Sequence, residues 1–190
     1  MEKKLLFLVN PKAGRNKSRG PLFDAVSVLC QAGYLVNVHE TTAAGDAAAT
    51  AAAQGADYDL VVAVGGDGTL NETVSGLMRL EQPPLLGYLP QGSTNDFAAS
   101  LHISGDPAEA ARAIVRHQVR TLDIGEWNQR NFVYVASFGA FTRSSYAAPQ
   151  AAKNALGHFA YILEGMKDLS TLRPYPLRID ADGENLDGDS

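Results

Sequence analysis

Gly65-Gly66-Asp67-Gly68-Thr69 put three glycines, a carboxylate and a hydroxyl within five residues. Without a Cβ, glycine lets a phosphate approach the backbone, and the N–H groups of such a loop can converge on it. Asp67 would repel a bare phosphate, so the ligand it suits is a phosphate that arrives with Mg²⁺. A second cluster, Pro90-Gln91-Gly92-Ser93-Thr94-Asn95-Asp96-Phe97, gathers hydroxyls, an amide and another carboxylate. A third, Asn10-Pro11-Lys12-Ala13-Gly14-Arg15, combines an amide with a fixed φ at Pro11 and a glycine that permits a tight turn. The glycine loop suits a metal-bound nucleotide, whereas Asn10–Arg15 taken alone fits an ordinary strand-end turn better.

Each cluster follows a short apolar run: Leu5–Val9, Leu60–Val64 and Leu85–Leu89. Such runs, bounded by turn formers, read as buried strands. From Leu70 to about Leu80 apolar side chains recur three and four apart, which predicts a helix whose N-terminal dipole faces the glycine loop. Thr69-x-x-Glu72 fits a capping box, with Thr69 as N-cap. Ser93 or Asn95 is expected to cap a helix that starts near Asn95 or Asp96. Further helices are predicted over Leu22–Ala32, Asp46–Gln54 and Pro107–Arg116, and a strand over Tyr34–Glu40. This βα rhythm predicts an α/β fold with a parallel sheet between two helical layers, and ligands at the carboxyl ends of its strands.

Past Val119 the pattern changes. Arg120–Trp127 and Phe132–Phe138 read as strands about a turn at Asn128–Asn131, followed by a helix over 151–169 and a strand over Pro174–Asp180. Asp182-Gly183-Glu184-Asn185 reads as a turn, and Leu186–Ser190 as a weak acidic end. The expected division is an α/β nucleotide-binding lobe at 1–119 and the beginning of a β-rich second lobe at 120–190. A hairpin and one more strand cannot bury two faces, so this second lobe is expected to be incomplete, with exposed strand edges that favour a homodimer.

Hydrophobic residues make up 45% of the 190, enough for a sizeable core. No apolar run reaches about eighteen residues, so no membrane span is expected. Leu5–Val9 is too short for a signal peptide and stops at Asn10-Pro11. A cytoplasmic protein with peripheral membrane association is the expectation. The single cysteine, Cys30, lies on a predicted amphipathic helix and is expected in the core. His39, His102, His117 and His158 show no metal-ligand spacing. Six of the sixteen basic residues fall within the first twenty (Lys3, Lys4, Lys12, Arg15, Lys17, Arg19), while the formal net charge is −5. An acidic chain is a poor partner for nucleic acid; a basic cluster near a phosphate loop suits a nucleotide, an anionic substrate or a lipid surface. For Lys3 and Lys4 a solvated strand end fits equally well.

There is no G-x-x-x-x-G-K-[ST], and no G-x-G-x-x-G opens a dinucleotide unit. The ordered set Asn-Pro-x-Ala-Gly, Gly-Gly-Asp-Gly-Thr-x-Asn-Glu and Pro-x-Gly-Ser-x-Asn-Asp-Phe resembles the diacylglycerol kinase catalytic-domain family, most closely its soluble bacterial lipid kinases. The resemblance runs from residue 5 to about 170. It implies a nucleotide-binding α/β lobe related to phosphofructokinases and NAD kinases, followed by a β-sandwich lobe. It further implies transfer of the ATP γ-phosphoryl group to a lipid hydroxyl, diacylglycerol or similar, at a membrane surface. By position, Asn10, Pro11, Lys12, Ala13, Gly14, Thr41, Gly66, Asp67, Gly68, Thr69, Leu70, Asn71, Glu72 and Ser93 would contact ATP. Asp67, Asp96 and Asp123 would hold Mg²⁺ through water. An Asp123 between Leu122 and Ile124 in a strand would be costly if buried unpaired.

Two departures stand out. Ser93-Thr94 replaces the family's Gly-Thr but keeps a hydroxyl. The family's general base lies in an Asp-Gly-Glu context near the end of its second lobe; Asp182-Gly183-Glu184 reads better as a tight turn, so the base is expected in a missing C-terminal segment, as are second-lobe metal ligands. NAD kinases share Gly-Gly-Asp-Gly-Thr and a following Asn-Glu, which makes NAD kinase the alternative enzyme. The non-enzymatic alternative is a nucleotide-binding lobe without independent catalysis.

Overall fold

The structure is a computed structural model and describes residues 3–14, 20–136 and 176–189. The chain divides into two compact units, Met1–Val135 and Ala136–Ser190. The first contains β1 (Lys3–Val9), α1 (Gly20–Gln31), β2 (Tyr34–Glu40), α2 (Asp46–Gln54), β3 (Leu60–Gly65), α3 (Asp67–Leu77), β4 (Leu85–Pro90), α4 (Asp96–Ser100), α5 (Pro107–Val115), β5 (Gly125–Trp127) and β6 (Arg130–Phe132). Four strands form one sheet in the order β2-β1-β3-β4. All three ladders are parallel.

Alternation along the two central strands builds a layer on each face. Leu5 and Phe7 of β1, with Leu60, Val62 and Val64 of β3, join Ala25 and Leu29 of α1 and Ala110 and Ala111 of α5 in one core cluster. The residues between them face the other way. Leu6, Leu8 and Val61 pack with Ala51 and Leu77, and Ala63 packs with Leu70, Val74 and Ala98. The alanine-rich stretch of α2 serves close helix packing: a Cβ on Gly76 of α3 would meet the Ala48 carbonyl and lie 2.8 Å from the Ala51 Cβ.

Several expectations need correction. Helix α3 starts at Asp67, three residues before the predicted Leu70, because the Gly66 carbonyl already accepts from Leu70 N at 3.1 Å. Thr69 therefore lies inside the first turn and is not the N-cap; Gly66 holds that position. Cys30 is exposed, since one residue past the buried Leu29 turns it about 100° away from the core. Among the described residues the hairpin strands are Gly125–Trp127 and Arg130–Phe132, so the second begins two residues before the predicted Phe132. Asn128 and Gln129 both take positive φ, 48° and 64°, and close it with a two-residue turn. Asp123 is exposed and precedes the strand, so the expected buried strand carboxylate is not found.

In the second unit β7 (Pro176–Ala181) pairs antiparallel with β8 (Glu184–Asp189). The expected weak acidic end is thus a strand, and Asp182-Gly183, with φ 52° and 86°, is its two-residue turn. The helix predicted over 151–169 lies outside the described residues, as do Arg15, Lys17 and Arg19 of the basic cluster. Lys3 and Lys4 stand at the opposite end of β1 from the glycine-rich loops, about 20 Å of strand away. Lys3 Nζ lies 5.7 Å over the Tyr34 ring. These two lysines belong to a solvated strand end.

Candidate nucleotide site

Parallel pairing brings the carboxyl ends of β1, β2, β3 and β4 to one edge of the sheet. The chain leaves β1 toward β2 and returns on the other side as β3, so the loops after β1 and β3 emerge side by side at the switch point. The loop after β4 is their neighbour.

These three loops interlock. Asn10 Oδ1 accepts from Lys12 N at 3.0 Å, and Asn10 Nδ2 donates to Thr69 Oγ1 at 3.1 Å, joining the first loop to the second. Gly14 has φ 74°, and a Cβ there would fall on the Gln91 carbonyl, which ties the first loop to the third. Gln91 N donates to the Gly65 carbonyl at 2.7 Å. A Cβ on Gly66 would stand 3.1 Å from Gly92 Cα, so these two loops touch backbone to backbone. Below them the Tyr88 hydroxyl donates to the Gly65 carbonyl at 3.2 Å. Burial, and secondarily the negative charge of Asp67, push the Tyr88 phenol well above its ordinary range. Thr73, fully buried, donates from Oγ1 to the Thr69 carbonyl at 2.8 Å.

Asp67 does more than line a loop. Its carboxylate accepts from Asp96 N and Phe97 N, each at 3.1 Å, and so caps α4 from across the site. Asn95 occupies the N-cap position of α4 with φ 55° but makes no cap bond. Its side chain instead accepts from Gly92 N at 2.7 Å and donates to Gly92 O at 3.1 Å. The expected capping by Ser93 or Asn95 is therefore replaced by Asp67, because the left-handed turn at Asn95 folds its amide back onto the loop.

Among the sequence-predicted residues, Asn10, Gly14, Gly66, Asp67, Thr69 and Asp96 are joined directly by these contacts. Pro11, Lys12, Gly68 and Ser93 are exposed in the same loops, and Ala13 is half-buried. Thr41, buried, is attached through its N–H to the Val9 carbonyl at 2.8 Å. The Leu70 side chain belongs to the core, leaving its backbone to the loop; Glu72 is half-buried. Asn71 is spent elsewhere: Nδ2 donates to Asn131 O and Oδ1 accepts from Val133 N, both at 3.2 Å.

Among the described residues no three His, Cys, Asp or Glu side chains stand close enough to hold one metal ion directly. Asp67, Asp96 and Asp123 do not form an inner cage; Asp96 and Asp123 are exposed, which suits holding an ion through water. Sequence reasoning missed the cross-site cap by Asp67, the Asn71 clamp and the support from Tyr88. A tyrosine in a buried strand needs a partner for its hydroxyl, the one signal that pointed to Tyr88.

The chain matches the model of the diacylglycerol kinase catalytic domain over residues 4–127. It is 40% identical to a diacylglycerol kinase of Bacillus subtilis (strain 168), an alignment that covers 98% of this chain and 62% of that protein. Against a diacylglycerol kinase of Staphylococcus aureus (strain MRSA252) the identity is 37%, over 100% of this chain and 61% of the relative. The crystal structure of a diacylglycerol kinase from Bacillus anthracis str. Sterne superimposes with a TM-score of 0.74 and 28% identity, covering 99% of this chain and 61% of that one. The chain thus spans about three fifths of the length of the relatives it matches. With its parallel sheet, its three interlocked loops and these identities, the chain belongs to the diacylglycerol kinase catalytic domain family.

Proposed function

We propose that this chain carries the ATP site of a lipid kinase that transfers the γ-phosphoryl group of ATP to a lipid hydroxyl, with diacylglycerol as the acceptor the relatives' names suggest. The observation that carries the reading is the mutual locking of the loops after β1, β3 and β4 at the switch point. Phosphoryl transfer needs positioning and charge neutralisation more than covalent chemistry, and a locked set of backbone donors supplies both without reorganisation.

In this reading the first-turn N–H groups of Gly66 to Thr69 take the phosphates at the N-terminus of α3. Asn10 to Gly14 close over them, and Thr41 and Ser93 supply hydroxyls. Asp67, Asp96 and Asp123 would hold, through water, the Mg²⁺ that arrives with ATP, which would neutralise phosphate charge. The acceptor oxygen attacks the γ-phosphorus, the bond to the β–γ bridging oxygen breaks, and ADP leaves with that electron pair while the hydroxyl proton passes to a base.

Among the described residues no helix is long and apolar enough to cross a membrane. Our reading places the protein in the cytoplasm, reaching its lipid peripherally, and includes a homodimer formed through strand edges such as those of the two-stranded β7–β8 sheet. The test is transfer of label from γ-labelled ATP to long-chain diacylglycerol in mixed micelles, beside NAD⁺ as acceptor. Labelled phosphatidic acid and unlabelled NAD⁺ support the proposal. Labelled NADP⁺ would replace it with an NAD kinase. Label in neither, with ATP still bound, would leave a nucleotide-binding lobe without catalysis of its own.

A further inference from the structure

The Asn71 clamp is a device that phosphate chemistry does not explain. Asn131 O in β6 and Val133 N, one residue past its end, are two residues apart and are the pair a third strand would engage. The Asn71 amide meets both at 3.2 Å, with oxygen to the N–H and nitrogen to the carbonyl, so its orientation is set by its partners. It stands in for a strand and ends the β5–β6 ladder against α3. Two apolar side chains complete the anchor: Ile124 and Val133 pack on the cluster of Ala63, Leu70, Val74 and Tyr88. Asp123 directly precedes Ile124. Asp67, which caps α4, lies four residues before Asn71, about one helical turn away on the same face.

We infer that Asn71 is a positioning residue: it docks the β5–β6 hairpin on α3 and so fixes the Asp123 segment relative to the phosphate loops, instead of contacting the nucleotide. One side of α3 thereby organises two separate pieces of the site, α4 through Asp67 and the hairpin through Asn71. A carboxylate at 71 would accept from Val133 N but turn an acceptor toward the Asn131 carbonyl, so Asn71→Asp breaks half the clamp and adds repulsion, whereas Asn71→Leu removes it while keeping the volume. The catalytic consequence rests on the lipid kinase reading; the clamp itself does not.

Three measurements separate them. In the wild-type chain, a scalar coupling across the hydrogen bond between the Val133 amide nitrogen and the Asn71 side-chain carbonyl carbon is expected, and its absence would overturn the clamp. Hydrogen exchange at Val133 should accelerate at least tenfold in Asn71→Leu, and less in Asn71→Asp, which keeps an acceptor for the Val133 N–H. In the kinase assay both variants should lower kcat tenfold or more while the KM for ATP changes less than threefold. A KM for ATP raised tenfold with unchanged Val133 exchange would make Asn71 a nucleotide contact and refute the inference. A wild-type chain that neither binds ATP nor transfers its phosphoryl group would refute the kinase reading and leave the Val133 measurements to decide the clamp.

Discussion

Replacing Gly14 with alanine tests the interlocked loops most severely. Two effects add. At φ 74° an alanine is in the left-handed region, at about 1–2 kcal/mol. Its Cβ would also fall on the Gln91 carbonyl, a backbone atom that cannot swing aside because Gln91 N is bonded to Gly65 O at 2.7 Å. Forced overpacking of this kind costs about 1–3 kcal/mol. The alanine restricts the unfolded chain and returns about 0.4–1 kcal/mol, which leaves a net loss near 3 kcal/mol. If the loop stays in place, urea denaturation reads the loss as stability. If the loop swings off Gln91, calorimetry reads it as Mg-ATP affinity, where 1.4 kcal/mol is tenfold, or about a hundredfold in all. Gly33→Ala isolates the first effect, since Gly33 has φ 88° and nothing within 4 Å of a built Cβ; it should cost about 1 kcal/mol. Gly20→Ala, with neither a positive φ nor a neighbour, should be neutral or slightly stabilising. If Gly14→Ala is as mild as Gly20→Ala in both stability and affinity, the packing of the first loop on the third is wrong.

Three more outcomes follow from the same structure. Gly76→Ala gains about 0.5–1 kcal/mol of helix propensity but pushes its Cβ into α2, 2.8 Å from the Ala51 Cβ; overpacking wins, and the melting temperature should drop by about 2–4 °C, whereas a rise would contradict the α2–α3 contact. Tyr88→Phe should lose about 1 kcal/mol, because the Gly65 carbonyl keeps the Gln91 N–H, and an absorbance titration should lose a tyrosine that ionises well above the ordinary range. Asp46 is held at a pKa of about 2 by Thr42, first through the Thr42 N–H at 2.7 Å and then its hydroxyl at 2.9 Å, with smaller help from His39 and Thr50. A folded pKa below the unfolded 3.8 stabilises the fold above pH 3.8, and this is lost as pH falls toward 2; Asp46→Asn should flatten stability in that window, and an unchanged slope would refute it.

Most of the first unit was legible because its determinants are local. β1 and β3 are continuous apolar runs, as strands buried on both faces must be, and β2 and α2 have the predicted bounds. The three loops were marked by residue types found at strand ends. What escaped depends on long-range contact. That Asp67 caps α4 requires knowing that the loops after β3 and β4 meet, twenty-nine residues apart in sequence. The Asn71 clamp spans sixty residues to Asn131. Cys30 was misplaced because α1 buries little more than Ala25 and Leu29, so its amphipathic stripe is narrower than the sequence suggested. The β8 strand was hidden by its charge: Asp187 and Asp189 are poor strand formers, and only pairing with β7 makes them one.

The most direct test of the central claim is a calorimetric titration of this 190-residue chain with ATP, with and without Mg²⁺, and with NAD⁺ as competitor. The interlocked loops predict saturable ATP binding that depends on Mg²⁺, is undisturbed by NAD⁺ and is abolished by Asp67→Ala. Binding that Asp67→Ala leaves unchanged, or NAD⁺ displaces, would contradict the assignment of these loops as the ATP site of a lipid kinase.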